Sequence, residues 1–580
     1  MPLPTQDLTE ALKGCSKSLV AVGVFSFVAN ALMLTPLFYM MNVFDKAVSS
    51  NSSTTLASLA IIALFLYALL AAFEWLRSLV LVHIANRLDY ALAPRLYDLC
   101  FQAQAGLVTA ENVGSQPLSD LNSLRQFLGS PSVTVIFDLP WTPFLLAVMY
   151  FFHPALATVA VICLLIMTAI AFANQRLTSK AVLEANQKSR AMTSATEKNL
   201  RNAEVAAAMG MMGSLRKRWR EKQEEVLAIQ TAGSSTASGF QAGIKTLNMV
   251  MQSVAITTGA VLVMAQEIAP GTMIVAALLL GKFLQPIQQA VSTWKGLVEA
   301  HAQYDRLNDF LTHFPPDSVR MPLPALQGGI VCRNVTVIPP RGKKPTLAEV
   351  SLDFVPGTTT VILGASGAGK STLLRALLGL WPYVQGEIRY DGAEVRSYDR
   401  ESFGSQVGYL PQDIELFEGS VAENIARFGE LDPDSVYRAA EDAGVKELIL
   451  ALPEGFNTKI VGSQGLLSPG QRQRIALARA LYDRPKIFIL DEPNSNLDSA
   501  GDQALSDAIQ MMRNQGSTVI IVSHRPNILP LADNVVVMGT GRVQASGPRD
   551  QVVSKLQTVG TNPGLSSEAV AAPPASASKG

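Results

Sequence analysis

Gly364, Ala365, Ser366, Gly367, Ala368, Gly369, Lys370, Ser371 and Thr372 together fit the phosphate-loop pattern G-x-x-x-x-G-K-[ST]. Glycines let such a backbone curl until its N–H groups converge on phosphate oxygens, and the helix that follows adds partial positive charge. Lys370 is placed to pair with the β- and γ-phosphates of ATP, and Ser371 to ligate Mg²⁺. A second element, the apolar run KIFIL, delivers the adjacent acids Asp491 and Glu492. Open α/β sheets put ligand chemistry at the carboxyl ends of their strands. Asp491 is expected to hold Mg²⁺, directly or through water, and Glu492 to orient and polarise the attacking water. A phosphate-loop match alone arises by chance in roughly a few per cent of chains and two adjacent acids after a strand are common, but their ordered company is not. Gln412 stands in GYLPQ, then come Leu467, Ser468, Pro469, Gly470 and Gln471, the two acids, Asp498 in SNLD, and His524 after STVIIVS.

These groups need a sheet to hold them. TTTVIL, KIFIL and STVIIVS read as short β-branched strands alternating with helical segments such as TLLRALLGLW, the pattern of an α/β domain. The phosphate loop falls between the strand at 358–363 and that apolar helix, where the chemistry requires it. Upstream, 301–324 reads as a Pro-rich linker, and downstream 557–580 reads as a low-complexity, disordered tail.

The rest of the chain has another character. Of 580 residues 48% are hydrophobic and only 16% charged, with a net charge of zero, against roughly 25% charged in ordinary soluble domains. The mean hydropathy is +0.24. This argues against a fully soluble chain and against a disordered one, and zero net charge removes the global electrostatic case for nucleic acid. The deficit is local: 18–44, 47–73, 139–175, 246–266 and 268–281 contain no Asp, Glu, Lys or Arg. A bilayer takes about 20 apolar residues per helix. Six spans follow, at 18–43, 54–76, 133–152, 155–175, 246–266 and 270–292, with YFFHPA as the turn between the third and fourth. Core helices of soluble proteins rarely run so long without charge. The connections between spans 1–2, 3–4 and 5–6 carry one basic residue, Lys46, whereas 176–245 carries many. The Lys/Arg bias therefore predicts cytoplasmic termini and cytoplasmic loops at 77–132 and 176–245. Both loops have helical composition and are expected to continue the spans.

Cys15, Cys100, Cys163 and Cys332 are far apart and read as buried or inert thiols. Asp138 before Pro140, and Lys282 within span 6, are candidates for a substrate path. The alternatives are a carboxylate that caps a proline-bent helix and a lysine that snorkels to the headgroups.

Taken together, residues 325–556 resemble the nucleotide-binding domain of ABC transporters. The resemblance implies that Ser468, Gly470 and Gln471 of one copy contact the γ-phosphate held by another. It also implies that Gln412 senses Mg²⁺, Asp498 crosses the dimer interface, and His524 braces the γ-phosphate and the water. Three departures stand out. Pro469 replaces a glycine of the usual LSGGQ and has no N–H to offer. Ile338 and Pro339 occupy the region where an adenine-stacking aromatic is common. Ser463 stands where many exporters have a carboxylate. With Glu492 and His524 intact, hydrolysis is expected.

LTPLFYMMNVFDKAVSSNSSTTL, FDLPWTPFLLAVMYFFHP, RNAEVAAAMGMMGSLRKRW and LLLGKFLQPIQQAVSTWK look like type I secretion ABC exporters, nearest the branch that moves proteases, lipases or haemophores. The implied architecture is an α-helical six-span membrane domain (18–300, after a cytoplasmic segment 1–17) followed by an α/β P-loop NTPase domain of ABC type. The implied assembly is a homodimer in the lipid of the bacterial inner membrane, with a periplasmic membrane-fusion adaptor and an outer-membrane channel. The implied cargo is a secreted protein with an uncleaved C-terminal signal. Span 1 begins near Ser18, leaving no room for a peptidase-like domain before it, which fits that branch. A lipid or drug exporter on the same scaffold is the alternative, and a nucleotide-gated channel is a third class.

Overall fold

The structure, a computed structural model, describes residues 8, 13–107, 114–314, 324–340, 342–461, 467–524 and 526–560. The chain divides into two units, Met1–Phe101 with Val113–Pro316, and Gln102–Asn112 with Asp317–Gly580.

In the first unit six helical stretches are long and apolar enough to cross a membrane: Ser16–Val48, Ser53–Ala105, Pro131–Phe152, Pro154–Leu177, Met212–Met264 and Pro270–His313. Each overlaps one span expected from sequence. Helix is what an apolar solvent demands, because it satisfies every backbone N–H and C=O within the segment. Ile61, Leu64 and Phe65 are 67–68% exposed and Phe151 91%, a surface that suits lipid and not water. The inner faces close on Met149, Met167, Leu279, Leu280, Phe283 and Leu284. Between the third and fourth spans His153 leaves the helical region (φ −168°, ψ 135°). Its ring accepts the Ala155 N–H, and Pro154 starts the next helix.

The helices run far beyond the apolar stretches. Ser53–Ala105, Pro154–Arg201 and Met212–Met264 are continuous, so 77–105, 176–201 and 212–245 extend the spans, whereas Gln116–Leu128 is a separate helix. One boundary differs from the sequence reading. The last long helix, Pro270–His313, carries on through 301–313, residues assigned to a linker. Ala300, Leu307 and Leu311 recur at helical spacing and pack with Leu88, Leu92 and Leu96, and that apolar stripe outweighs the proline signal that begins at Pro315.

The second unit is built on strands β1 (Ile330–Val337), β2 (Leu347–Phe354), β3 (Thr359–Gly364), β4 (Tyr383–Tyr390), β5 (Ala393–Glu394), β6 (Val407–Leu410), β7 (Gly419–Ser420), β8 (Lys459–Ile460), β9 (Ile487–Asp491), β10 (Thr518–Val522), β11 (Asn534–Gly539) and β12 (Arg542–Pro548). Six of them form one sheet in the order β12-β11-β3-β10-β9-β6. It is parallel except for β12 at its edge. A separate antiparallel sheet has the order β2-β1-β4-β5. Every residue of β9 and β10 is buried, as expected for central parallel strands covered on both faces. Ile487 and Ile489 point into one core, Phe488 and Leu490 into the other, the period of two that a strand imposes. Val522 pairs with Asp491 on one side and Ile362 on the other, so the carboxyl ends of β3, β9 and β10 are level. The final helix, Arg549–Gly560, covers 557–560 of the stretch read as a disordered tail. The remainder of that tail lies outside the described residues.

Candidate active site

The phosphate loop leaves β3 and enters the helix Lys370–Leu377 through Gly369, whose φ of +93° is left-handed and therefore favours glycine. A Cβ there would also meet Leu347 Cδ2 at 2.8 Å and Thr346 O at 3.1 Å. Lys370 is buried and its ammonium donates to Gly364 O at 2.8 Å and Ala365 O at 3.0 Å. Burial pulls its pKa down, opposed by the charges of Glu492 and Asp491. The loop thus keeps its lysine folded inside the cradle where phosphates would lie.

Asp491 ends β9, 3% exposed. Burial raises its pKa, against the lowering effect of a hydrogen bond with Ser371. Among the described residues its Oδ1 is a buried oxygen without a hydrogen-bond partner. An orphaned carboxylate oxygen beside a serine hydroxyl is a hard-oxygen donor set that suits Mg²⁺. Glu492 follows in a left-handed conformation, φ +51°, uncommon for a residue with a side chain and a feature that clusters at functional sites. Its Oε1 lies 2.8 Å from His524 Nε2, and its Oε2 accepts from Gln412 Nε2 at 3.2 Å. So Gln412, Glu492 and His524, spread over more than a hundred residues, meet at one carboxylate next to the phosphate loop.

Ser468, Gly470 and Gln471 lie at the start of the helix Pro469–Leu481. Ser468 Oγ accepts the Gln471 N–H at 3.2 Å, and Gln471 Oε1 accepts the Ser468 N–H at 2.8 Å. This is a reciprocal capping box with proline in the first turn, where the missing N–H costs nothing. Gly470 has a packing reason of its own, since a Cβ there would sit 2.8 Å from Asn496 O. Asp498 caps the helix Ser499–Asn514 through the Gly501 N–H at 2.8 Å and pairs with Arg474. These contacts, led by the Gly501 N–H, hold its carboxyl below the usual range. Within this chain Asp498 therefore has partners of its own. Ser463 lies outside the described residues.

Sequence reasoning missed two supports. Gln473, 1% exposed, donates to Pro493 O and accepts the Asn496 N–H at 3.1 Å, bracing the turn that carries Glu492. Arg474 is the other. Both lie on the helix after the LSPGQ segment, and only their repeated polar character in RQR hinted at more than a solvated face. In the first unit Asp138 is 7% exposed and accepts from Arg77 Nη1 and Asn30 Nδ2, each at 2.9 Å. Lys282 donates to Gln285 at 3.3 Å. Both line a cavity of about 310 Å³ with Glu74 and Arg77. All four cysteines are free and buried.

The chain matches the family described as ABC transporter over residues 347–495 and that described as ABC transporter transmembrane region over 19–287. It is 38% identical to the type I secretion system ATP-binding protein PrsD of Rhizobium meliloti (strain 1021) over 95% of this chain and 94% of that one. Identity is 28% to the alpha-hemolysin translocation ATP-binding protein HlyB of Escherichia coli, over 91% and 75%. A solved bacterial Atm1-family ABC exporter with ATP bound superimposes with a TM-score of 0.80 at 18% identity, over 93% of this chain and 96% of that chain. That likeness establishes the fold alone.

Proposed function

The chain belongs to the ABC exporters of type I secretion, ATP hydrolases coupled to transport, and from that premise we propose that it exports a polypeptide with an uncleaved C-terminal signal, of protease, lipase or haemophore type. The observation that carries the motor is the Glu492 carboxylate, bonded to both His524 and Gln412 beside the phosphate loop. In this reading Lys370 exchanges its loop carbonyls for β- and γ-phosphate oxygens, while Ser371, Asp491 and Gln412 hold Mg²⁺. Mg²⁺ held there would supply neutralisation of the phosphate charge. Glu492 takes the proton of the attacking water as general base, and His524 keeps the carboxylate aimed and meets the γ-phosphate. Ser468, Gly470, Gln471 and Asp498 of a second copy close over the nucleotide, so the working unit is a homodimer, which closed two-fold symmetry favours. The Lys/Arg bias puts both termini in the cytoplasm, with the chain in the inner membrane. A periplasmic adaptor and an outer-membrane channel complete the path. Similarity over nearly the whole length to a type I secretion protein supports the polypeptide cargo.

The test is export of a reporter fused to candidate C-terminal signals, in cells with and without this protein and with its Glu492→Gln variant. Export that needs both the signal and Glu492 is expected. If no such signal is exported while lipids or hydrophobic drugs stimulate the ATPase, the polypeptide reading falls.

A further inference from the structure

Two cavities adjoin in the first unit, one between spans 4, 5 and 6 and one between spans 3, 4 and 6. The larger, about 760 Å³, is lined by the amides Asn174, Gln241, Asn248, Gln285, Gln288 and Gln289, with Lys245 and Lys295. The smaller, about 550 Å³, is lined mainly by apolar side chains, among them Leu146, Leu164, Phe172, Phe283 and Ile287. Asn174, Val291 and Trp294 line both. Among the described residues no carboxylate lines either.

Three polar atoms of the amide chamber are buried without a hydrogen-bond partner: Asn248 Oδ1, Gln288 Nε2 and Trp294 Nε1. Such groups cost roughly 1–3 kcal/mol each when left unmade, and packed interiors seldom hold several together. One needs a donor and two need acceptors. A phosphate group supplies acceptors only and an acyl chain neither; the hydroxyls or ammonium of a lipid headgroup add donors, but not along an extended line. An extended peptide backbone supplies both in alternation, and it must itself find partners once it leaves water. Six amides, each able to donate and accept, present the complementary surface without demanding a sequence. The apolar cavity next door adds the selective element, room for a large aliphatic or aromatic side chain. The two exposed lysines, unopposed by acid, favour a negative segment or a terminal carboxylate.

We propose that this chamber is the binding subsite for an extended segment of the exported polypeptide, held by its backbone on the amides, with a large apolar side chain in the adjoining cavity and a carboxylate near Lys245 and Lys295. This rests on the polypeptide-export reading and assigns the cargo its place.

The experiment uses the full chain in lipid nanodiscs, with photoreactive benzoylphenylalanine in place of Ser292, which lines the chamber. Three probes are offered: a synthetic peptide ending in Leu-Phe with a free carboxylate, its C-terminally amidated twin, and phosphatidylglycerol. The free-acid peptide cross-links at position 292. Asn248→Leu with Gln288→Leu raises its half-saturating concentration about tenfold, the worth of two hydrogen bonds. Lys245→Gln with Lys295→Gln abolishes the preference for free acid over amide. That pair is exposed, so it reports on the same site without disturbing packing. Cross-linking of lipid in place of peptide overturns the assignment, as does unchanged peptide affinity in the leucine variant. Reporter export that proceeds with no peptide cross-link rejects the chamber and leaves the export reading standing. A peptide cross-link without export of any signal does the reverse.

Discussion

Glu492 Oε1 and His524 Nε2 stand 2.8 Å apart, and strand register fixes the pair. Asp491 faces Val522 across β9 and β10, and the Glu492 N–H donates to Val522 O at 2.9 Å. The left-handed turn at Glu492 then swings its carboxylate toward the histidine that follows β10. Two side chains on different strands reach one point because their strands end level, with the phosphate loop on the neighbouring strand.

Glu492→Gln keeps the shape of the side chain and one acceptor oxygen but removes its basicity. Turnover is expected to fall about 10²- to 10⁴-fold, the usual worth of a general base, while ATP binding persists. Phosphate release and ATP-dependent thermal stabilisation measured on the same sample separate the two effects. Turnover within a few-fold of wild type would place the base elsewhere.

Lys370 makes a different prediction, because its ammonium is occupied by Gly364 O and Ala365 O before phosphate arrives. Lys370→Ala removes charge and donors together, leaving two loop carbonyls and the nearby Asp491 and Glu492 without their cation, so nucleotide-free stability should fall by about 1–3 kcal/mol. Saturating ATP at a hundred times its Kd adds about 2.7 kcal/mol to the wild type. The variant should lose most of that gain in a thermal-shift titration. An undiminished shift would show that the loop binds phosphate without its lysine.

Pro469 sits in the first turn of its helix behind the Ser468–Gln471 capping box. Pro469→Gly adds a backbone N–H, which in the proposed homodimer would face the other copy's nucleotide, and gives up a pre-set φ. We expect a loss of roughly 0.5–1 kcal/mol in stability together with a lower KM for ATP. An unchanged KM would show that this amide is not needed for nucleotide capture.

Cys332 lies in β1, and burial pushes its thiol up to about 12. A raised thiol is a thiolate only above that value, so at pH 8 the nucleophilic fraction is about 10⁻⁴. Maleimide should leave Cys332 unlabelled in the native protein at pH 8 and label it after denaturation. Native labelling on the same timescale would mean that β1 opens readily.

Much of this was legible from sequence for a physical reason: the signals are local. Charge-free runs announce the spans, and the phosphate loop and the Asp491–Glu492 pair are contiguous. The helix through 301–313 was legible too, in Ala300, Leu307 and Leu311, but the prolines just beyond drew the boundary too early. The capping box was equally open to reading as S-x-x-Q. What no local pattern carried was the left-handed φ at Glu492, the meeting of Gln412 with Glu492 80 positions on, and the partner of Asp138. Arg77 stands 61 positions away, at the end of a span counted to residue 76, so it looked like a flank and not a ligand.

That pair makes the last prediction. Arg77 and Asp138 side chains are each 10% exposed and 2.9 Å apart, with Asn30 as a third partner at 2.9 Å. The contacts join the first three spans, and Lys282 lines the same cavity from the sixth. Removing one member of a buried ion pair strands the other, at about 3–5 kcal/mol. Asp138→Asn can still bond Asn30 but leaves the guanidinium uncompensated, so it should lower the thermal midpoint and the yield of folded protein in the membrane. Arg77→Ala leaves Asp138 with Asn30 and should also destabilise. The exchange Arg77→Asp with Asp138→Arg restores opposite charges across the same gap and should recover a large part of the loss. If it is no more stable than the single variants, the pair owes its place to one charge facing the cavity and not to holding the spans together.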